Sequence, residues 1–229
     1  MLMKRAFVAS VVLSCGVCLV AGEQYFVSYD ADGVYPEDRG WTRSVYGGGA
    51  QRWFDNGSLV IDSRASTGIE DAYIMQKSGQ LDPSSPNEWF FMSWRMRTDE
   101  LQGPWDAAVG AFSDERRAVF LDFSLDHISI GGIGTVATFE PGVFHGFELR
   151  SSNMLTYDLY VDGALAHSGN FTVPLLTAST VGWGDMTSGG ASLTRWEYFR
   201  FGVVPEPKSA LVGVTLLAAA RAVSRGKSP

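Results

Sequence analysis

Cysteine is nearly absent from this chain. The two cysteines, Cys15 and Cys18, both lie within residues 1–22, a segment that we predict is removed from the mature protein. A mature chain without cysteine forms no disulfide, even in a compartment that permits one, so its stability must come from a hydrophobic core. A lipoprotein-type modification of Cys15 is a minor alternative, because the chain stays apolar beyond that residue.

Long hydrophobic runs are also lacking, except near the two ends of the chain. At the N-terminus, Lys4 and Arg5 precede an apolar stretch at residues 6–20, and the small residues Ala21 and Gly22 follow. This order is typical of a secretory signal peptide, and the stretch is shorter than the roughly twenty residues of a bilayer span. We therefore predict cleavage by signal peptidase near Gly22. A retained anchor or a buried helix is the alternative.

Basic residues are scarce in residues 23–204. That segment has 24 Asp and Glu against 12 Lys and Arg, and Lys77 is its one lysine. The resulting charge of about −12 repels nucleic acid and anionic lipid headgroups, so we predict no nucleic-acid partner. Neutral sugars and divalent cations remain compatible with this charge.

Helical periodicity is missing outside the two ends, and strand patterns replace it. Three segments are short, rich in β-forming residues and bounded by turn residues: 58–62, 71–75 and 118–125. Asn56-Gly57 and Asp162-Gly163 each predict a tight β-hairpin turn, whose central residues have positive φ. Many short strands joined by regular turns predict an all-β jelly-roll sandwich of two antiparallel sheets.

Several of these strands resemble those of a known superfamily. Residues 88–97 are similar to an early strand of laminin-G-like domains, within the concanavalin A-like lectin and glucanase superfamily. Residues 144–150 and 157–163 resemble its central hairpin, which often ends in Val-Asp-Gly, and residues 193–201 resemble its closing strand. The resemblance covers most of residues 23–202 and implies a lectin-like sandwich.

The C-terminal segment carries a sorting pattern. Pro205-Glu206-Pro207 is followed by an apolar run at residues 210–220 and then by Arg221 and other spaced basic residues. This order resembles the PEP-CTERM tail, which implies recognition by an exosortase-like membrane protease. Residues 203–229 would form this tail, with a short transmembrane segment at about 209–223 and a cytoplasmic basic end. A terminal amphipathic or buried helix after a linker is the alternative.

Catalytic motifs are absent. The Glu-x-Asp-x-x-Glu strand of the glycosidases in the resembled superfamily does not occur, and Asp122 with Asp126 is the nearest arrangement. There is no Gly-x-Ser-x-Gly elbow, no phosphate loop, and no paired spacing for zinc among His127, His145 and His167. We therefore predict a protein that is not an enzyme.

A polar sheet face is the candidate binding surface. Strand alternation places eight residues away from the apolar side of their strands, and we predict that they share one concave sheet: Arg95, Arg97, Asp122, Asp126, Glu148, Arg150, Asp158 and Tyr160. Arginine forks, carboxylates and a tyrosine suit sugar hydroxyls, although an ordinary solvated face would have the same composition. Trp53, Trp105 and Trp183 lie in or beside predicted loops and are candidates to stack on sugar rings, with core packing as the alternative.

Calcium is the candidate cofactor, by analogy with lectin-like sandwiches alone. Asp30, Asp32 and Asp185 are its candidate ligands, without the spacing of a known calcium loop. The sequence thus predicts an exported protein of the cell surface, outer envelope or extracellular matrix, transiently anchored in the inner membrane. Its sandwich is predicted to bind extracellular polysaccharide. A structural matrix protein without a small ligand and a glycan-cleaving enzyme are the alternatives.

Overall fold

The structure is a computed structural model that describes residues 26–205, except 49, 66–69, 77–80, 84, 104–107, 114–116, 132, 173–179 and 187–189. Fifteen strands and one turn of 3-10 helix, Pro36–Arg39, form the described part of the chain. The strands are β1 (Phe26–Asp30), β2 (Thr42–Tyr46), β3 (Gln51–Asp55), β4 (Ser58–Asp62), β5 (Glu70–Gln76), β6 (Glu88–Gln102), β7 (Ala108–Ser113), β8 (Ala118–Phe123), β9 (His127–Ile130), β10 (Gly134–Thr138), β11 (His145–Ser151), β12 (Thr156–Val161), β13 (Ala164–Asn170), β14 (Thr180–Asp185) and β15 (Ala191–Pro205).

The strands form two antiparallel sheets. Sheet A has the order β13-β12-β11-β6-β15-β4-β3, and β1 also pairs with β15 in this sheet. Sheet B has the order β10-β9-β8-β7-β14-β5-β2. The first and last described strands are therefore neighbours, with Phe26 opposite Gly202. This arrangement confirms the predicted all-β sandwich.

Strand β6 shows how the sequence pattern builds the core. Phe90, Met92, Trp94 and Met96 alternate along it and are buried, while the intervening side chains are partly or fully on the solvent side. Successive side chains of a strand point to opposite faces, so β6 contributes one buried row and one outer row. Aromatic rings from both sheets fill the space between them.

The two predicted hairpin turns are confirmed. Asn56 and Gly57 have φ values of 50° and 76°, and Asp162 and Gly163 have 50° and 80°. Two consecutive residues with positive φ form the turn whose twist matches that of the paired strands. The first turn joins β3 to β4, and the second joins β12 to β13.

Two predictions about individual segments are wrong. The strand expected over residues 118–125 ends at Phe123, because the backbone N–H of Ser124 donates to the carbonyl of His127 at 2.9 Å and closes a tight turn through Leu125 and Asp126. Trp183, placed in or beside a loop as a candidate to stack on sugars, lies on β14 and is fully buried, which is the core-packing alternative. Burial of its large apolar side chain stabilises the folded state more than exposure to water would.

The last strand runs to Pro205, three residues beyond the predicted end of the sandwich. The predicted signal segment, Trp105, Glu206, Pro207, Arg221 and the predicted transmembrane segment all lie outside the described residues. Within the described part of the chain, no helix has the length and apolar character needed to cross a bilayer.

Candidate ligand-binding face

Six of the eight predicted face residues lie together on the outer side of sheet A. Arg95 and Arg97 are on β6, and the other four are on the adjoining strands β11 and β12. Glu148 is opposite Tyr160, and Arg150 is opposite Asp158. We call this surface the arginine face; it consists of Arg95, Arg97, Glu148, Arg150, Asp158 and Tyr160.

The other two predicted residues lie elsewhere. Asp122 is on β8 of sheet B, where it is opposite Ser129, and Asp126 is in the turn that follows β8. The expectation that all eight share one sheet is therefore wrong. Alternation along a strand determines which side chains avoid the core, but it carries no information about the sheet that the strand joins.

One end of the arginine face is organised by Arg150. Its guanidinium donates to both carboxylate oxygens of Glu148, at 2.6 and 3.0 Å, and lies 4.7 Å from the centre of the Tyr160 ring. The hydrogen bonds from Arg150 to Glu148 raise the pKa of the arginine further, so the guanidinium stays charged. Beside it, Asp158 accepts a hydrogen bond from the Ser168 hydroxyl at 2.6 Å.

The other end is built around the Phe144 ring. The guanidinium carbons of Arg95 and Arg97 lie 5.7 and 5.0 Å from its centre, which is the range of cation–π contacts. Arg97 pairs with Asp99 at 2.6 Å, whereas Arg95 lies 3.4 Å from Glu197 and its side chain is 45% exposed. Arg95 is thus the more loosely paired of the two and can turn its N–H groups toward a ligand.

Two arginines of β15, which were not predicted from the sequence, lie beside the arginine face on sheet A. Arg195 donates to Asp99 at 2.6 Å and to Asp55 at 2.5 Å, and Arg200 donates to Asp30 at 2.5 Å. A bulge in β15 between Trp196 and Tyr198 breaks simple alternation there. Trp196 and Phe199 are consequently both buried although they are three residues apart. In β6, regular alternation identifies the outward-facing residues from the sequence, and β15 lacks this regularity.

The tryptophans predicted to stack on sugars are not equivalent. Trp53, on the edge strand β3, is 38% exposed and is available at the surface of sheet A. Trp183 is in the core, which excludes it from ligand contact.

The three candidate calcium ligands do not form one site. Asp30 is bound to Arg200, and Asp32 is paired with Arg39. Asp185 is buried and far from Asp30. It accepts a hydrogen bond from Ser63, which in turn bonds to Ser192 on β15. Asp30 is opposite Tyr198, six residues further along β15, or about 20 Å away. Across the described residues, no group of three or more His, Cys, Asp or Glu side chains is placed to hold a metal ion. These residues do not fit a shared calcium site.

Pairing of carboxylates with arginines predicts that the stability of the fold depends on pH. Hydrogen bonds from Arg52 and from Arg64 hold the pKa of Glu37 and of Asp62 below their usual values. A carboxylate with a lowered pKa in the folded state stabilises the fold above its unfolded-state pKa and loses that contribution as pH falls through the folded value. We therefore expect the melting temperature to fall as pH decreases below about 4, the usual range of these groups.

The measurement is a thermal melt at pH values between 7 and 2.5, with the variant carrying both Glu37→Gln and Asp62→Asn as the comparison. The variant should melt lower than the parent at pH 7, and its melting temperature should change less on acidification. Parallel curves for the two proteins would contradict the assignment.

Comparison with known proteins shows a shared fold. The chain is similar to the structure of a carbohydrate esterase from a Shiga toxin-encoding bacteriophage, with a TM-score of 0.57, 14% identity, and coverage of 78% of this chain and 97% of that one. It is also similar to a protein of unknown function from Shewanella oneidensis, with a TM-score of 0.52, 9% identity, and coverage of 80% and 87%. A Bacillus licheniformis β-glucanase gives a TM-score of 0.49 and 9% identity over 79% and 98% of the two chains. No protein-family model and no curated protein matches this chain in sequence.

Proposed function

We propose that this chain is an exported protein, sorted to the cell surface or extracellular matrix by an exosortase-like protease, and that it binds an extracellular glycan through the arginine face. The observation that carries the binding proposal is the half-exposed Arg95 beside the Phe144 ring. A guanidinium supplies several N–H donors in a fixed plane, which suit sugar hydroxyls and carboxylates. The pattern at the two ends of the chain supports the export proposal.

The same geometry favours binding over catalysis. Glu148 and Asp99 each lie against an arginine, at N···O distances of 2.6 Å. Glycoside cleavage uses two carboxyl groups that both face the scissile bond, whereas each of these carboxylates faces a guanidinium group. We therefore propose a binding module without hydrolase activity.

A glycan array with the purified protein tests this proposal. We expect reproducible binding to one class of sugar, and we expect Arg95→Ala to raise Kd about tenfold or more, because a hydrogen bond to a charged group contributes about 1.5–3 kcal/mol. Arg39→Ala is the matched control, since Arg39 is also a partly exposed, carboxylate-paired arginine but lies outside the arginine face. A chelator should leave binding unchanged.

Two results would overturn the proposal. The first is an array on which the parent protein binds nothing, which would favour a structural surface protein. The second is equal binding by the parent and Arg95→Ala, which would move the ligand to another surface. Release of reducing sugar from a bound glycan would instead contradict the absence of hydrolase activity.

A further inference from the structure

Large apolar side chains gather on the outer side of sheet A at the place where both ends of the described chain leave it. Phe26 and Phe91 flank Gly202 on the two strands beside β15, and their rings stack at a centroid distance of 5.8 Å and an angle of 24°. Trp89 is opposite Val204 in the next outward-facing row. We call these four side chains, Phe26, Trp89, Phe91 and Val204, the terminal aromatic patch.

This patch is incompletely covered by the rest of the protein. Phe26 is 52% exposed, and Trp89, Phe91 and Val204 are all partly exposed. Gly202 provides no side chain between the two phenylalanines, so their rings meet over the backbone of β15. A contiguous exposed patch of apolar side chains often marks the site where a protein contacts a partner or a membrane.

The length of the C-terminal segment indicates which partner the patch meets. Pro205 is the last residue of β15, and the apolar run begins at Ala210, so four residues lie between them. The five steps from Pro205 to Ala210 span at most about 18 Å. If the apolar run enters a bilayer, the terminal aromatic patch is the part of the described surface directly beside the entry point. Tryptophan is enriched at the boundary between headgroups and acyl chains, and phenylalanine adds apolar area that is buried there.

We infer that the terminal aromatic patch contacts the interfacial region of a lipid bilayer while the C-terminal tail is in the membrane. This inference rests on the membrane-anchored tail in the proposed function. It also places the end of β15 toward the bilayer. Arg150, at the near end of the arginine face, is directly opposite Phe91, whereas Arg95 is four residues along β6 from Phe91, or about 13 Å. The Arg95 end is therefore the part of the face that stays open to a glycan.

Tryptophan quenching by brominated lipid tests the contact. The full-length chain is expressed in a host without a sorting protease, so that the tail stays attached, and is reconstituted into phosphatidylcholine vesicles with and without brominated acyl chains. These zwitterionic vesicles avoid repulsion from the acidic domain. Trp41, Trp94, Trp183 and Trp196 are buried and out of reach of lipid, which leaves few tryptophans that bromine can quench.

The variants Trp89→Phe and Trp53→Phe provide a matched pair, because both residues are partly exposed tryptophans of sheet A, on different strands. We expect bromine-dependent quenching to fall about twofold or more in Trp89→Phe and to be unchanged in Trp53→Phe. The reason is that the inference places Trp89, and not Trp53, at the lipid interface, where bromine can quench it. Flotation of the vesicles with bound protein is measured in the same samples.

Each other outcome contradicts the inference in a distinguishable way. If the protein floats but Trp89→Phe and the parent are quenched equally, the tail is anchored and the proposed contact of the patch is refuted. Protein that does not float refutes both the anchor and the contact, whereas glycan binding is decided separately by the array. An emission change of Trp89 that depends on protein concentration, without quenching by lipid, would assign the patch to a second copy of the chain.

Discussion

Replacing Trp183 by alanine should lower the free energy of unfolding by about 3–5 kcal/mol, which is the range for large aromatic side chains removed from a core. Trp183 is fully buried, and its ring lies within 6 Å of five other aromatic rings: Tyr29, Trp41, Tyr73, Trp196 and Phe199. Tyr29, Trp196 and Phe199 come from sheet A and Tyr73 comes from sheet B, so the indole joins the two layers. Residues 26–205 contain no cysteine, so this packing and not a disulfide must hold the sheets together.

Urea unfolding followed by far-ultraviolet circular dichroism measures this effect without relying on the fluorescence that the substitution removes. Trp53→Ala is the control, because Trp53 is 38% exposed and should cost roughly 1 kcal/mol, the centre of ordinary point substitutions. If Trp183→Ala does not unfold at a clearly lower urea concentration than Trp53→Ala, the central role of Trp183 is refuted. Trp183→Phe should recover part of the loss.

Replacing Arg43 by alanine should cost about 3 kcal/mol, because removal of one partner of a buried ion pair leaves the other charge uncompensated. Arg43 donates to both oxygens of Asp71, at 2.7 and 2.6 Å, and the Asp71 side chain is fully buried. Asp185, also fully buried, is directly opposite Asp71 on the neighbouring strand. Side chains that are opposite each other on paired strands lie about 5 Å apart, so the arginine also reduces the repulsion between two carboxylates.

Thermal or urea unfolding of Arg43→Ala measures the cost, and Arg39→Ala is the matched control. Arg39 is paired with Asp32, but both side chains are substantially exposed, and such pairs contribute about 0–1 kcal/mol. The double variant Arg43→Met, Asp71→Leu should recover much of the stability, because it removes the buried charge together with its partner. An Arg43→Ala protein as stable as Arg39→Ala would show that Asp71 is compensated in another way.

Local features of this fold were predictable from residues close together in sequence. The hairpins at Asn56-Gly57 and Asp162-Gly163 follow from the backbone angles that those dipeptides adopt easily. The outward position of Arg95 follows from its alternation with Trp94 and Met96, both of which are buried. Each of these properties depends on only a few neighbouring residues.

To identify all residues at the arginine face, the pairing of the strands must also be known. Glu148, Arg150, Asp158 and Tyr160 do share one surface, because β11 and β12 follow each other in sequence and pair with each other. Phe144 was missed as a face residue because its contacts with Arg95 and Arg97 join residues that are nearly fifty positions apart. The bulge in β15 hid Arg195 and Arg200 in the same way, since it shifts the alternation without a visible signal in the residues themselves.

The sequence by itself determined the approximate position of several strands, the two tight turns, and which side of a regularly alternating strand such as β6 avoids the core. These properties depend on local backbone preference and on the two-residue period of a strand. Only the tertiary structure decided that Asp122 belongs to sheet B and Arg95 to sheet A, that Trp183 is in the centre of the core, and that Asp71 lies opposite Asp185. Strand pairing over long sequence separations is settled by the packing of the whole chain, and an outward-facing aspartate has the same local pattern in either sheet.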